Sequence, residues 1–310
     1  MSFGRSMFLI SACAVLLAGC GKASEPADAA NINIESETIT EEDVPVSEEV
    51  IAPVLEDESE QGLSLSFVDA HGEYYETTIK PVANPCVYDK NMFEFRNRRM
   101  TYAGEGYDYR IGIDVSYFQE NIDWERVKAD GVDFVFIRIG FRGYGEEGTL
   151  NVDSAFHENI KGAQAAGLEV GVYFFAQAIN EEEAIEEANF VLKELEGYEL
   201  QMPVVYDPET IRHTEARTDN VTKEQFTKNT LAFCKTIEEA GYDSMIYCNL
   251  LWQVFKLEMS DLQHIPTWYA DYEFFPQTPY HFEIWQYTQS GEVDGIEGDV
   301  DINLQLIPKE

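Results

Sequence analysis

The pattern of apolar and polar positions from residue 109 onward alternates between two periods. Short apolar, β-branched runs, such as those at 133–140 and 169–176, are each followed by a segment with helical spacing. In the segment 180–197, four small or apolar side chains recur on one helical face: Ala184, Ala188, Val191 and Leu195. Strands that are apolar at nearly every position are typical of parallel sheets covered on both faces.

Eight such strands are predicted, at 111–116, 133–140, 169–176, 203–209, 244–249, 267–272, 283–288 and 298–304. Helical patterns separate the first five, near 123–131, 153–166, 180–197 and 222–241, and the later connections are short for full helices. We therefore predict the α/β class, with a parallel (β/α)8-like barrel that is irregular in its second half. An open, doubly wound sheet is the less favoured alternative, because no glycine-rich nucleotide motif follows a strand.

The barrel pattern occupies residues 109–310, and a small β-rich segment precedes it at 63–108. Within that segment, alternating residues flank a turn at His71 and Gly72 and predict one hairpin, with a second strand pair further on. Residues 20–62 are acidic instead, since positions 23–62 contain thirteen Asp or Glu and no Lys or Arg. That composition predicts a disordered acidic linker.

Residues 1–19 have the features of an export signal. Arg5 supplies a positive charge, and the apolar stretch at 7–18 is shorter than the roughly 20 residues that span a bilayer. The sequence LAGC at 17–20 resembles a bacterial lipobox, which implies cleavage before Cys20 and attachment of lipid to it. We therefore expect an extracytoplasmic protein anchored to the outer face of the cell membrane. An ordinary cleaved signal is the alternative.

The composition narrows the classes of partner and cofactor. A formal net charge of −37 argues against nucleic acid as a partner, and we expect a monomer. Beyond the signal and Cys20, the cysteines are Cys86, Cys234 and Cys248, without the C-x-x-C spacing of a zinc site. A disulfide between two of them is left open. Because H-E-x-x-H and G-x-S-x-G motifs are also missing, we expect no metal, no cofactor and no serine nucleophile.

Carboxylates stand where the predicted strands end. The stretch VVYDPET at 204–210 closes a buried strand with Asp207 and Glu209, and a period of two turns both side chains to the same side. Asp114 ends the first predicted strand, and Asp301 lies in the last. Because barrel active sites form at the C-terminal ends of the strands, we expect these four acids to meet at one mouth.

Acids that meet in this way suit a particular chemistry. Two neighbouring carboxylates cannot both ionise easily, so the pKa of one rises. The acid with the raised pKa protonates a leaving oxygen while its partner stays ionised, and glycoside hydrolysis uses this division of roles. The alternative is structural: the acids cap loops or pair with Arg138 or Arg217.

Aromatic side chains accompany the acids at the same strand ends. Sugar rings stack on aromatic faces, and sugar hydroxyl groups bond to the polar tips of Tyr and Trp. We therefore predict a substrate-binding set made of Tyr173, Tyr206, Tyr269, Asp271, Trp285, Gln286 and Arg138.

Five motifs of the barrel segment resemble a known enzyme family. In chain order they are GIDVSYFQ, PVVYDPE, WYADY, WQYT and GDVDINL, and together they resemble glycoside hydrolase family 25, the lysozymes or N-acetylmuramidases, over residues 109–310. The resemblance implies a catalytic domain that cleaves the β-1,4 bond between N-acetylmuramic acid and N-acetylglucosamine in peptidoglycan glycan strands, without a metal.

The same resemblance implies a role for each acid. Glu209 is the general acid, and Asp207 is either the nucleophile or the group that orients the substrate's 2-acetamido group. Asp114 and Asp301 hydrogen-bond the sugar or tune the other two acids. Pro208, inside the D-x-E motif, departs from the family pattern. Two other functions stay open: a wall-binding lipoprotein without hydrolysis, and a hydrolase of another N-acetylhexosamine polymer.

Overall fold

The computed structural model describes residues 62–212 and 214–309 of the chain. The predicted export signal, Cys20 and nearly all of the acidic linker lie outside the described residues. The strands of the described part are β1 (Leu63–Val68), β2 (Tyr74–Ile79), β3 (Phe93–Arg96), β4 (Arg99–Tyr102), β5 (Tyr107–Val115), β6 (Phe134–Arg142), β7 (Leu150–Val152), β8 (Glu169–Ala176), β9 (Val204–Pro208), β10 (Ser244–Asn249), β11 (Thr267–Ala270), β12 (Ile284–Gly291) and β13 (Val300–Pro308). The α-helices are α1 (Trp124–Ala129), α2 (Phe156–Ala165), α3 (Glu181–Glu194) and α4 (Lys223–Glu239).

Eight of these strands close into a barrel. They follow the order β5, β6, β8, β9, β10, β11, β12 and β13, and β13 pairs back with β5. The seven strands from β5 to β12 run parallel to one another, whereas β13 is antiparallel to both of its neighbours. The short strand β7 adds to the C-terminal end of β6. Each of the eight predicted runs therefore contributes one barrel strand.

The expectation of a wholly parallel barrel is wrong for the last strand. Only residues 292–299 connect β12 to β13. A parallel return needs a crossover of about a dozen residues or more, so a connection this short reverses the chain into an antiparallel pair.

Helices cover one half of the barrel. The four α-helices lie in the connections among the first five barrel strands, as predicted, whereas the connections from β10 to β11 and from β11 to β12 contain no α-helix in the part described. A π-helical turn at Trp252–Lys256 stands in the first of these. The architecture is a mixed eight-stranded barrel with few helices, and a regular (β/α)8 arrangement is not formed. No helix in residues 62–212 and 214–309 has the length and apolarity to cross a membrane.

Large side chains fill the barrel interior below the mouth. Phe134 and Phe136 of β6 point inward with Trp268 of β11, and the rings of Phe136 and Trp268 stack with centroids 4.6 Å apart. Glycine makes room for them, because a Cβ atom at Gly112 or Gly171 would collide with the ring of Phe134 or Phe136 on the adjacent strand. The interior is therefore a packed core rather than a channel. An active site is expected only at the end of the barrel where the C-terminal ends of the parallel strands lie.

The two N-terminal hairpins, β1–β2 and β3–β4, pack on the side of the barrel that lacks helices. The Tyr88 hydroxyl donates to the backbone oxygen of Phe282 at 2.7 Å. The ring of Phe93 in β3 meets the outward-facing ring of Trp285 edge-on, with centroids 5.2 Å apart. Trp285 is fully buried as a result. The β-rich segment thus supplies cover that helices supply elsewhere.

All three cysteines in the described residues are free. Cys86 is half-buried, and Cys234 and Cys248 are buried. Burial raises the pKa of Cys234 and of Cys248 to about 12, which keeps both as unreactive thiols. The disulfide that the sequence left open is not formed among these residues.

Replacing Phe93 by Ala should destabilise the whole barrel. Phe93 is 2% exposed against Trp285, whereas Phe95 on the same strand is 55% exposed. Truncating a buried Phe typically costs about 3–5 kcal/mol of unfolding free energy, and truncating an exposed one costs far less. Urea unfolding of Phe93→Ala and of its control Phe95→Ala measures the difference. Equal stabilities of the two variants would contradict the packing role of the hairpin.

Candidate active site

Four carboxyl groups meet at the open end of the barrel. Asp114 lies near the end of β5, and its register partner on the neighbouring strand β13 is Asp301. Asp207 is near the end of β9, and Glu209 follows that strand directly. The negative charges of Asp114 and Glu209 act on Asp207 and also on Asp301, so all four belong to one electrostatic cluster. The structure therefore brings together the four acids that the sequence predicts to converge.

The strand β9 places two of the acids. All five of its residues are buried, and Val205 belongs to the barrel interior, so the alternation along the strand turns Asp207 inward as well. Pro208, which has no N–H group to donate, is the last residue of the strand. Glu209 then emerges at the mouth, where it is exposed to solvent.

Asp114 is the best-supported of the four acids. Its Oδ2 atom accepts hydrogen bonds from Nε2 of Gln286 at 2.9 Å and from Nδ2 of Asn303 at 2.8 Å. Burial raises the pKa of Asp114 to about 6, and the two amide donors oppose the rise because they stabilise the charged form. Asp114 is therefore held in one orientation, although burial still disfavours its ionised form.

A second layer of side chains fixes those two amides. The hydroxyl groups of Tyr247 and Tyr272 donate to Oε1 of Gln286 at 2.8 and 2.9 Å. The indole Nε1 of Trp268 donates to Oδ1 of Asn303 at 2.7 Å. Because each amide oxygen is occupied by a donor, each amide NH₂ group is directed to Asp114.

Asp207 has the lowest solvent exposure of the four acids. It is 3% exposed, and its Oδ1 atom is buried without a hydrogen-bond partner among the described residues. Burial raises the pKa of Asp207 well above its usual range, and the charges of Glu209 and Asp114 raise it further, while Arg138 opposes them. Asp207 therefore holds a proton much more tightly than an isolated aspartate.

Glu209 combines solvent access with a perturbed acidity. The residue is exposed at the mouth, yet protein atoms crowd round its carboxyl group. This crowding raises the pKa of Glu209 to about 7, Asp114 adds to the rise, and Arg138 opposes it. Asp301 is half-buried, and burial, Asp114 and Glu209 raise its pKa well above the usual range. The four groups titrate as a unit rather than one by one.

Arg138 influences the acids without pairing with any of them. Its Nε atom donates to Oδ2 of Asp153 at 2.7 Å, and its guanidinium lies 5.0 Å from the ring centroid of Tyr117 and 5.4 Å from that of Phe118. The hypothesis that the acids pair with Arg138 or Arg217 is therefore wrong in this structure, since Arg217 bonds to Glu183. Arg138 is held beside the mouth as a fixed positive charge.

Two of the predicted substrate-binding residues lie inside the barrel near the acids. Tyr173 is half-buried, and burial raises its pKa well above the usual range, with Asp114 and Asp207 adding to the rise and Arg138 opposing it. Gln286 bonds to Asp114, as described above. Their contact with a substrate stays a prediction.

Other predicted substrate-binding residues face away from the mouth, which corrects the prediction for them. Tyr206 is 1% exposed and packs on Phe233 of α4, with ring centroids 4.8 Å apart. Since Tyr206 directly precedes the inward-facing Asp207, the period of two turns it outward. This period of two can be read from the sequence, and it assigns the inward position to Asp207 rather than to Tyr206.

Tyr269, Asp271 and Trp285 form a structural cluster on the outer side. The Tyr269 hydroxyl donates to Oδ2 of Asp271 at 2.7 Å, and Nε1 of Trp285 donates to the backbone oxygen of Asp271, also at 2.7 Å. Oδ2 of Asp271 also accepts a hydrogen bond from the backbone N–H of Gln277. These side chains are saturated with internal bonds and buried, so they anchor the loop after β11 instead of lining the site.

The structure also adds residues to the site that the sequence reasoning did not select. Tyr247, Trp268, Tyr272 and Asn303 hold the floor around Asp114. Strand alternation could have identified Tyr247 and Trp268, because each lies on the inward side of its strand. Asn303 lies two residues after Asp301 on β13, so the same period identifies it as well. Tyr272 carries no such signal, because it lies beyond the end of β11.

Comparison with known proteins agrees with this geometry. Residues 113–296 match the sequence profile of the family described as Glycosyl hydrolases family 25. The match covers more than half of the chain, and the chain belongs to this family. It includes Asp114, Asp207 and Glu209, and it ends before Asp301.

Individual relatives share the barrel but extend beyond it. The autolytic lysozyme of Clostridium acetobutylicum is 27% identical over 193 residues, which is 62% of this chain and 54% of that protein. The modular autolysin LytC of Streptococcus pneumoniae, solved in complex with a synthetic peptidoglycan ligand, superposes with a TM-score of 0.58 and 25% identity, over 79% of this chain and 56% of LytC. The bacterial lysozyme of Streptomyces coelicolor gives a TM-score of 0.53 and 25% identity, over 63% of this chain and 90% of that one. This chain thus spans about half the length of the first two.

The burial of Asp114 predicts a pH-dependent gain in stability for Asp114→Asn. The pKa of Asp114 is raised from 3.8 to about 6, so wild type loses stability as pH rises from 4 through 6. Asparagine does not titrate, so the variant should gain up to about 3 kcal/mol relative to wild type between pH 4 and pH 7. Urea unfolding across this range, with the exposed Asp261→Asn as control, measures it. A difference that is constant with pH would contradict the assignment.

Proposed function

We propose that this protein is a peptidoglycan hydrolase of the N-acetylmuramidase type. It cleaves the β-1,4 bond between N-acetylmuramic acid and N-acetylglucosamine. The observation that carries the proposal is the cluster of Asp114, Asp207, Glu209 and Asp301, which crowds four carboxyl groups into one mouth without an ion pair among the described residues. Its relatives named as lysozymes and autolysins support the choice of substrate.

Glu209 serves as the general acid. A carboxyl group with a pKa of about 7 carries a proton in a substantial fraction of molecules at neutral pH. Its position at the exposed mouth lets the proton reach the glycosidic oxygen of a long polymer. As the bond breaks, that oxygen takes the proton, and the Glu209 carboxylate can then deprotonate the incoming water.

Asp207 acts on the other side of the bond, in the substrate-assisted version of the reaction. The 2-acetamido oxygen of the substrate attacks the anomeric carbon while the leaving oxygen departs, and water later opens the ring intermediate. The buried Oδ1 of Asp207, which lacks a hydrogen-bond partner in the described part, is suited to accept the acetamido N–H. Direct attack of the Asp207 carboxylate on the anomeric carbon is the alternative.

Asp114 and Asp301 complete the site in supporting roles. The negative charge of Asp114 raises the pKa of Asp207, of Glu209 and of Asp301, so its ionisation controls how strongly the others hold their protons. Tyr173 and Gln286 offer polar tips inside the same mouth for sugar hydroxyl groups.

A lipid anchor at Cys20 would confine this activity to the outer face of the cell membrane. The LAGC sequence at 17–20 and the acidic stretch that follows support this part of the proposal, and both lie outside the described residues. The long linker would let the barrel reach the wall from the membrane surface.

Glu209→Gln should abolish cleavage of purified peptidoglycan while binding persists. The change removes the proton donor and keeps the shape of the side chain, so turnover should fall at least about 100-fold. Mass spectrometry of reduced digestion products measures new muramic acid reducing ends, and a pull-down measures binding. The control is Glu215→Gln, which changes an exposed glutamate six residues after Glu209 and should cleave like wild type.

Digestion of peptidoglycan and, in parallel, of another N-acetylhexosamine polymer has four outcomes that separate the candidate functions and test the acid. New muramic acid ends with wild type alone establish the muramidase and its acid. Ends on another N-acetylhexosamine polymer instead indicate a different substrate. Retained binding with no new ends from wild type would favour a wall-binding lipoprotein, and cleavage by Glu209→Gln at the wild-type rate would remove Glu209 from the role of acid.

Replacing Cys20 should release the protein from membranes. When the chain is expressed in a bacterium fed an alkyne-labelled fatty acid, wild type should carry the label and sediment with membranes. Cys20→Ala should lose both properties, whereas Cys13→Ala should keep them because Cys13 lies within the predicted signal. Label on the Cys20→Ala protein would contradict the anchor.

A further inference from the structure

The general acid stands on a loop whose two ends meet at one buried side chain. Gln177 follows β8 and is 1% exposed. Its Nε2 atom donates to the backbone oxygen of Glu209 at 2.9 Å, and its Oε1 atom accepts from the hydroxyl of Thr218 at 2.9 Å. The amide of Gln177 therefore joins the beginning and the end of the segment 209–218, which we call the acid loop. Residue 213 of this segment lies outside the described residues.

The backbone of Gln177 is fixed as firmly as its side chain. Its N–H donates to Oε1 of Glu187 at 3.1 Å, and its carbonyl oxygen accepts from Nη1 of Arg217 at 3.1 Å. Arg217 in turn forms two 2.7 Å hydrogen bonds with the carboxylate of Glu183 on α3. Two consecutive residues of the acid loop, Arg217 and Thr218, are thus bound to the same glutamine.

A buried ion pair supports this junction from behind. Glu187 of α3 is fully buried, and Nε of Arg142 donates to its Oε1 atom at 2.8 Å. Arg142 is 4% exposed. Because both ends of this contact are enclosed, Gln177 rests on a part of the fold that moves little.

Glu209 itself has little else to fix it. Within residues 62–212 and 214–309, no hydrogen bond holds its carboxyl group, in contrast to Asp114, which accepts from Gln286 and Asn303. Its position therefore depends on where the backbone of the acid loop runs. A misplacement of about 1 Å in a reacting group can cost on the order of 100-fold in rate.

We propose that Gln177 is a positioning residue for the general acid. By joining both ends of the acid loop, it sets the distance of the Glu209 carboxyl group from Asp114 and Asp207, and so sets both the reach and the acidity of the proton donor. It touches neither the substrate nor the reacting atoms. This inference rests on the proposed function, in which Glu209 is the acid.

The decisive variant is Gln177→Leu, which keeps the approximate volume and removes both bonds. We expect kcat on peptidoglycan to fall about 10- to 100-fold with KM changed less than about threefold, because binding surfaces remain while the donor is misplaced. The descending limb of the pH–rate profile, which reports the acid, should shift by a measurable amount. Hydrogen exchange of the amides in 209–218 should become faster.

Gln253→Leu is the matched control. Gln253 is also 1% exposed and also accepts from a threonine hydroxyl, that of Thr278, at 2.6 Å, but no hydrogen bond joins it to the described residues of the acid loop. Its Nε2 atom has no hydrogen-bond partner in the described part of the chain, so Gln253→Leu removes one bond where Gln177→Leu removes two and should lower stability less. It should leave kcat, the pH profile and exchange in 209–218 as in wild type. If both leucine variants change kcat equally and neither shifts the pH profile, Gln177 has only a structural role and the proposal is overturned.

A milder variant covers the case in which Gln177→Leu does not fold. Thr218→Val removes the hydrogen bond from Thr218 to Gln177 and should change kcat and loop exchange in the same direction as Gln177→Leu, by a smaller factor. Thr218→Ser keeps the hydroxyl group, so its kcat and loop exchange should match those of wild type. Wild-type behaviour of Thr218→Val would overturn the proposal. Wild type that cleaves no peptidoglycan contradicts the proposed function instead, and the exchange measurement still decides whether Gln177 holds the loop.

Discussion

The enclosure of four carboxyl groups in one barrel mouth is the constraint on which the rest of this structure depends. Burial and mutual repulsion raise the pKa of Asp114, Asp207, Glu209 and Asp301, so the folded state favours their protonated forms. Such groups lower the stability of the fold whenever they ionise. The strands of the barrel that carries them form a closed ring. The pairing of β13 with β5, which sets Asp301 opposite Asp114, is the last step of that closure.

The rest of the structure provides packing that offsets the cost of burying these carboxyl groups. Phe134, Phe136 and Trp268 pack the interior directly beneath the acids, and Trp268 also bonds to Asn303 in the floor of the site. On the outside, helices cover the first half of the barrel. Where they are missing, the N-terminal hairpins bury Trp285, whose own indole fixes the loop after β11. Core and site are thus connected through the same aromatic residues.

Local periodicity explains how much of this could be predicted from the sequence. Apolar runs identified all eight barrel strands, and a period of two together with the strand ends identified the four acids. The same period, applied to neighbours, separates Tyr206 from Asp207, so that correction lay within reach. The reversal of β13 was also within reach, because the predicted strands at 283–288 and 298–304 leave too few residues between them for a parallel return. The bond between Gln177 and Glu209 was not, because it joins residues 32 positions apart that follow two different strands. Contacts across a barrel leave no periodic trace in either segment.

The two sides of the site are held by different means, and this difference fits the proposed chemistry. Asp114 is fixed by amides that extend from rigid strands, and Asp207 is itself part of a strand, so both define an unchanging surface inside the barrel. Glu209 lies beyond the strand, at the solvent boundary, on a loop held at its ends. A group that first gives a proton and then removes one from water needs access to solvent in both steps. An orienting carboxylate needs the opposite, a dry and immobile position. Ending the strand at Pro208, between the two acids, provides both environments within three residues.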